Sequence, residues 1–116
     1  MRRKVRYNVT NTVEDYVMNE QYTCPQIVDG INGGAIRKVS FAVKGYGHYS
    51  NCVIERLPSD SPDVVVVEVR LTPDGTETAT FFRRFNPDEK LFALKGIRYS
   101  LKQIWKHIEI KSVQFV

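Results

Sequence analysis

Ile36-Arg-Lys-Val-Ser-Phe-Ala-Val-Lys44 is the stretch whose reading decides the fold. It spells two structures. Wound as a helix, it puts Ile36, Val39 and Val43 on one side at i, i+3 and i+7, and turns Arg37, Lys38, Phe41 and Lys44 the other way. Extended as a strand, it alternates Val39, Phe41 and Val43 with Lys38, Ser40, Ala42 and Lys44. Its β-branched and aromatic content favours the strand, which also buries Phe41. The helix and turn that precede it favour the helix.

That preceding helix is well marked. Thr23-x-x-Gln26 is a capping box, in which the threonine hydroxyl accepts from the third helical N–H and the glutamine reaches back. Tyr22 and Ile27 stand where a hydrophobic staple needs them, and Cys24, Ile27, Val28 and Ile31 share one face. Gly30 and the Gly33-Gly34 pair then stop the helix. Ser100-x-x-Gln103 repeats the syntax with Tyr99 and Ile104, and Asn11-x-x-Glu14 is a third start, followed by Val13, Tyr16 and Val17 on one face. Helices are therefore expected over 12–19, 24–31 and 101–107.

Strands dominate after residue 50. Cys52–Leu57 and 64–71 flank the turn-rich Pro58-Ser-Asp-Ser-Pro-Asp63 and read as an antiparallel pair. Thr72-Pro-Asp-Gly75 is a hairpin turn, with 76–85 as the returning strand. Asn86-Pro-Asp-Glu89 turns again into 90–95, ended by Gly96, and 109–116 closes the chain as an alternating edge strand.

Composition limits the function classes. The 116 residues make one domain, and 42% hydrophobic content is enough for a core without metals or disulfides. The longest apolar block, 64–67, is far short of the ~18–20 residues that span a bilayer. The basic start Met-Arg-Arg-Lys-Val-Arg has no apolar stretch behind it, so a signal peptide is not expected and the location expected is cytoplasmic. Cys24 and Cys52 read as reduced thiols. The net charge of +4 permits an acidic partner without demanding one. Most of the excess in the first half comes from Arg2, Arg3, Lys4 and Arg6, which read as a solvated tail or as an arm touching phosphates.

Catalytic syntax is sparse. His48 and His107 have no cysteine or carboxylate at metal-ligand spacing, and His107 suits the end of the last helix, where positive charge is favoured. There is no nucleophile elbow, phosphate loop or dinucleotide fingerprint. The carboxylates Asp74, Asp88 and Glu89 sit in turns. No enzymatic activity, cofactor or metal is expected.

The order helix, capped helix, glycine turn, helix, strand, loop, strand runs through Thr23-Cys-Pro-Gln-Ile-Val-Asp29, Val39-Ser-Phe-Ala-Val-Lys44 and Val53-Ile-Glu-Arg-Leu-Pro58. It resembles a winged helix-turn-helix domain over residues 9–71. The long connection Gly45-Tyr-Gly-His-Tyr-Ser-Asn51 and the outward Phe41 depart from that pattern. The resemblance implies an α+β fold: an N-terminal helical part, then an antiparallel sheet with one C-terminal helix. Residues 1–8 would be a basic arm or first strand, 9–71 the winged-helix part, and 72–116 a hairpin, helix and closing strand. It also implies a small DNA-binding regulator with double-stranded DNA as partner. Arg37 and Lys38 would read the major groove beside Phe41, Lys44 and Arg56 would touch the backbone, and Arg2, Arg3, Lys4 and Arg6 would enter the minor groove.

If 36–44 is a strand, the alternative is a non-enzymatic protein-binding inhibitor or adaptor of viral or mobile-element type, docking through a sheet edge or aromatic patch. In the DNA-binding regulator, Phe81, Phe82, Phe85, Leu91 and Phe92 read as core or as a homodimer surface. Two further readings stay open: Phe41, Tyr46 and Tyr49 stacking on unpaired bases, and a small anionic ligand held by basic residues such as Arg83 and Arg84.

Overall fold

In the computed structural model, which describes residues 22–46, 49–61 and 63–116, the capped helix α1 spans Cys24–Asn32. Both arms of its capping box form: Gln26 N–H donates to the Thr23 hydroxyl at 3.3 Å, and Thr23 N–H donates to Gln26 Oε1 at 2.9 Å. Gly33 N–H returns to the Asp29 carbonyl at 2.8 Å and ends the helix. Ile27 and Ile31 are its buried face.

Ile36–Val43 is a strand, β1. This corrects the expected fold. A helix-turn-helix needs a second helix after the glycine turn, and here the chain enters a sheet instead. Among the described residues one short helix precedes that sheet; the helix expected over 12–19 lies outside them. The helix-like spacing of Ile36 and Val39 has a physical cause. Ile36 pairs with Phe115 and Lys38 with Gln114, so the register slips at Arg37, a β-bulge that lets two residues three apart share one face. Val39, Phe41 and Val43 then alternate inward as a strand requires.

The remaining elements are β2 (Cys52–Leu57), β3 (Val65–Arg70), β4 (Thr78–Arg83), β5 (Leu91–Leu94), β6 (Ile97–Ser100), α2 (Leu101–Ile104), a 3-10 turn (Trp105–His107) and β7 (Ile108–Phe115). β1 to β4 form an antiparallel meander, and β7 returns to pair with β1, giving the order β4-β3-β2-β1-β7. β5 and β6 make a separate hairpin that the sequence reading did not anticipate. Its two-residue turn places Lys95 at φ 52 and Gly96 at φ 82, the paired positive values of a tight hairpin turn.

One face of the large sheet is the core. Val39, Phe41, Ile54, Val67, Val69, Phe81, Ile110 and Val113 project into a single cluster with Ile27 and Ile31 of α1, Phe92 and Leu94 of β5, and Leu101 and Ile104 of α2. Phe81 and Phe85 meet edge to face at 5.0 Å. Asn32 ties α1 to the end of β4. Its Nδ2 donates to the Phe85 carbonyl at 2.9 Å, and its Oδ1 accepts Phe85 N–H at 2.7 Å. The opposite face carries Lys38 and Ser40 of β1, Val53, Glu55 and Leu57 of β2, Val66, Glu68 and Arg70 of β3, and Thr80 and Phe82 of β4. This follows from their alternation with the core residues. Arg70 and Glu68 form an ion pair there.

Candidate aromatic and cationic cleft

Among the described residues, those expected to read DNA do not share a surface. Phe41 is 0% exposed, inside the core. Arg56 is half-buried, and its Nη1 donates to the Ile31 carbonyl at 3.1 Å, a second donor to a helix C-terminal acceptor that also takes Gly34 N–H at 3.3 Å. Arg37 is thrown outward by the bulge and donates to Gln114 Oε1 at 3.1 Å. Lys38 lies on the opposite sheet face, paired across β2 with Glu55. Lys44 is exposed at the far end of β1. Arg2, Arg3, Lys4 and Arg6 lie outside the described residues. Arg83 and Arg84 are both exposed, at and just after the end of β4.

A different cluster assembles at the end of β1. Gly45, at φ 83, turns the chain, and Tyr46 N–H bonds the Val43 carbonyl at 3.2 Å. Tyr49 N–H bonds the Tyr46 carbonyl, and Val43 N–H bonds the Tyr49 carbonyl, both at 2.8 Å. The loop is therefore closed by its own backbone. Tyr49 also pins it to the small hairpin, its hydroxyl donating to the Ala93 carbonyl at 3.2 Å. Lys44 N–H donates to the His107 carbonyl at 2.7 Å and brings the 3-10 turn alongside.

Between these segments lies an open-sided cleft of about 370 Å³ lined by Tyr46, Tyr99, Gln103, Ile104, Lys106 and His107. That volume lies in the range of small-ligand sites. The Tyr46 ring stands edge-on to His107 at 6.1 Å and to Tyr49 at 6.4 Å. Lys95 Nζ lies 5.1 Å from the Tyr46 ring centre, a cation–π distance. Gln103 is held by the second capping box, its Oε1 accepting Ser100 N–H at 2.7 Å. Ile104 supplies an apolar floor.

Such a site offers flat aromatic surface beside positive charge. It can hold a planar group against the rings and place an anion near Lys95 and Lys106. Among the described residues no three metal-ligating side chains converge, and no helix is long and apolar enough to cross a membrane.

Sequence reasoning singled out Phe41, Tyr46 and Tyr49 as stacking residues; Phe41 lies in the core instead, and the neighbours of the two tyrosines were missed. Tyr99 had been read as a staple residue and His107 as a helix-end charge. Lys95 and Lys106 had no role. Their only local signal was the Lys95-Gly96 turn, which fixes where the hairpin folds back. No protein-family model matches the chain, and neither a curated protein nor a solved structure matches it.

Proposed function

We propose that the protein is a binding module for a base-plus-phosphate unit, taken either as a free nucleotide or as part of a single strand. The observation that carries this reading is the Tyr46 cleft, lined by the rings of Tyr46, Tyr99 and His107 and by Lys106, with Lys95 over the Tyr46 ring beside it. A nucleobase would stack on Tyr46, flanked by Tyr99 and His107, and its phosphate would lie toward Lys95 and Lys106. Aromatic stacking contributes roughly 1–3 kcal/mol per base, so one such site gives modest affinity and little sequence preference. The net charge of +4 favours approach of a polyanion. A helix reading the major groove has no place in this proposal, because Ile36–Val43 is a core strand.

The test is a fluorescence or calorimetric titration at low and high salt with a nucleoside monophosphate, a short single-stranded oligonucleotide and inorganic phosphate. Binding of the first two, weakened about tenfold or more by Tyr46→Ala, supports the reading. A steep salt dependence for the oligonucleotide alone identifies the strand as the ligand. No binding of either at low salt, or binding indifferent to both Tyr46→Ala and Lys95→Ala, refutes it.

A further inference from the structure

The two edges of the large sheet differ in kind. β7 carries Glu109 and Lys111, and its register against β1 shifts between Ser40 and Phe41, opposite Lys111. Charges and bulges of this sort discourage edge-to-edge pairing. β4 reads Thr-Ala-Thr-Phe-Phe before its first charge, Arg83, and is paired in register with β3 from Thr78 to Arg83. Phe82 on this strand is 65% exposed. It stands in one cross-strand row with Val66 and Leu57, an apolar corner on the face away from the core. Among the described residues, β4 has a partner strand on one side alone.

The backbone shows which groups face outward. Leu71 N–H donates to the Glu77 carbonyl at 2.9 Å, one step beyond the Arg70–Thr78 pair. In an antiparallel ladder the hydrogen-bonding direction alternates along the strand. Ala79 and Phe81 therefore turn their N–H and C=O groups to β3 along with Glu77, whereas Thr78, Thr80 and Phe82 turn theirs away. We infer that this edge pairs with β4 of a second copy, antiparallel about a two-fold axis at Thr80.

That register is selected over its neighbours. Centred on Thr80, Thr78 stands opposite Phe82 of the second copy and Thr80 opposite Thr80, so every outward N–H and C=O meets its complement. Glu77, whose Oε1 also accepts Ala93 N–H at 2.7 Å within its own chain, then comes level with Arg83 of the second copy at both ends, an opposite-charge pair. Shifting the centre by one residue sets Glu77 against Phe81 or Phe85, both fully buried in their own core. Thr78 of the second copy also covers Phe82 from its exposed side. The contact is isologous and closed, so it stops at a dimer with one continuous sheet. It does not involve the Tyr46 cleft, and either proposal survives failure of the other.

Sedimentation velocity of the full chain, from low micromolar to millimolar concentration, tests it. A concentration-dependent dimer is expected. Thr80→Lys puts two ammonium groups together at the axis, and Arg83→Glu faces Glu77 of the second copy with a like charge. Each should raise the dimer dissociation constant at least about tenfold while leaving the circular dichroism spectrum of dilute protein unchanged. Arg83 is exposed, so its variant remains informative should Thr80→Lys fail to fold. A monomer throughout the range, or a dimer that neither variant weakens, overturns the inference.

Discussion

Replacing Asn32 with alanine removes both hydrogen bonds of one amide at once. Phe85 N–H and C=O, satisfied at 2.7 and 2.9 Å, lose their partner where the last turn of α1 meets the chain leaving β4. An abandoned, partly buried polar group costs about 1–3 kcal/mol, so two should cost about 2–4 kcal/mol, with part-exposure setting the lower end. Against a total stability of about 5–15 kcal/mol this is a large fraction. The melting temperature should fall by on the order of 10 °C. Urea unfolding followed by Trp105 fluorescence should show a lower midpoint with an unchanged slope. Asn32→Asp separates the two bonds. It keeps an acceptor for Phe85 N–H but sets an oxygen against the Phe85 carbonyl. It should destabilise at neutral pH and recover in acid, where the protonated carboxyl supplies a donor again. A loss below about 0.5 kcal/mol for Asn32→Ala, or N32D as stable as the parent at neutral pH, would refute the clamp.

Other outcomes follow from packing and titration. A Cβ on Gly30 would sit 2.4 Å from Ile36 Cδ1 and 2.8 Å from its Cγ1. Gly30→Ala should therefore destabilise by about 1 kcal/mol net, overpacking of about 1–3 kcal/mol outweighing the ~1 kcal/mol helix gain, and adding Ile36→Val should restore part of it in chemical denaturation. Burial pushes the Cys52 thiol up to about 11, Lys111 opposing slightly. The folded state thus holds this proton more tightly than the unfolded chain does. The resulting stability is complete below pH about 9 and is lost as pH rises toward 11, by of order 2–3 kcal/mol. A Cys52→Ala variant should show a flatter alkaline limb in a pH series of melting curves. Thr23→Ala and Ser100→Ala each remove a capping hydroxyl and should cost about 1 kcal/mol by thermal unfolding; no loss in either would mean the caps do not hold these ends.

Much of the chain was legible because its signals are local. The capping boxes at Thr23 and Ser100 act within three residues, and both helices start where those boxes put them. The strand at Cys52–Leu57 and its partner at Val65–Arg70 flank a proline-rich turn and alternate cleanly. The hairpin β5–β6 was missed although Lys95-Gly96 is a tight two-residue turn. Both strands are four residues long, too short for alternation to register beside the capped helix that follows.

By itself, then, the sequence determined where helices begin, where the chain turns and which residues are apolar. Tertiary structure decided what Ile36–Val43 became. β7, from the other end of the chain, pairs along its length and forces the bulge at Arg37, burying Ile36 and Val39 together. A helix would have left Phe41 on the charged side, whereas the sheet places it at the centre of the core. The same return of β7 carries His107 to Lys44 and assembles the Tyr46 cleft from two segments far apart in sequence, the loop at Tyr46 and the run from Tyr99 to His107. Caps and turns depend on neighbours a few residues away, whereas strand pairing and clefts depend on residues that meet only once the chain has folded.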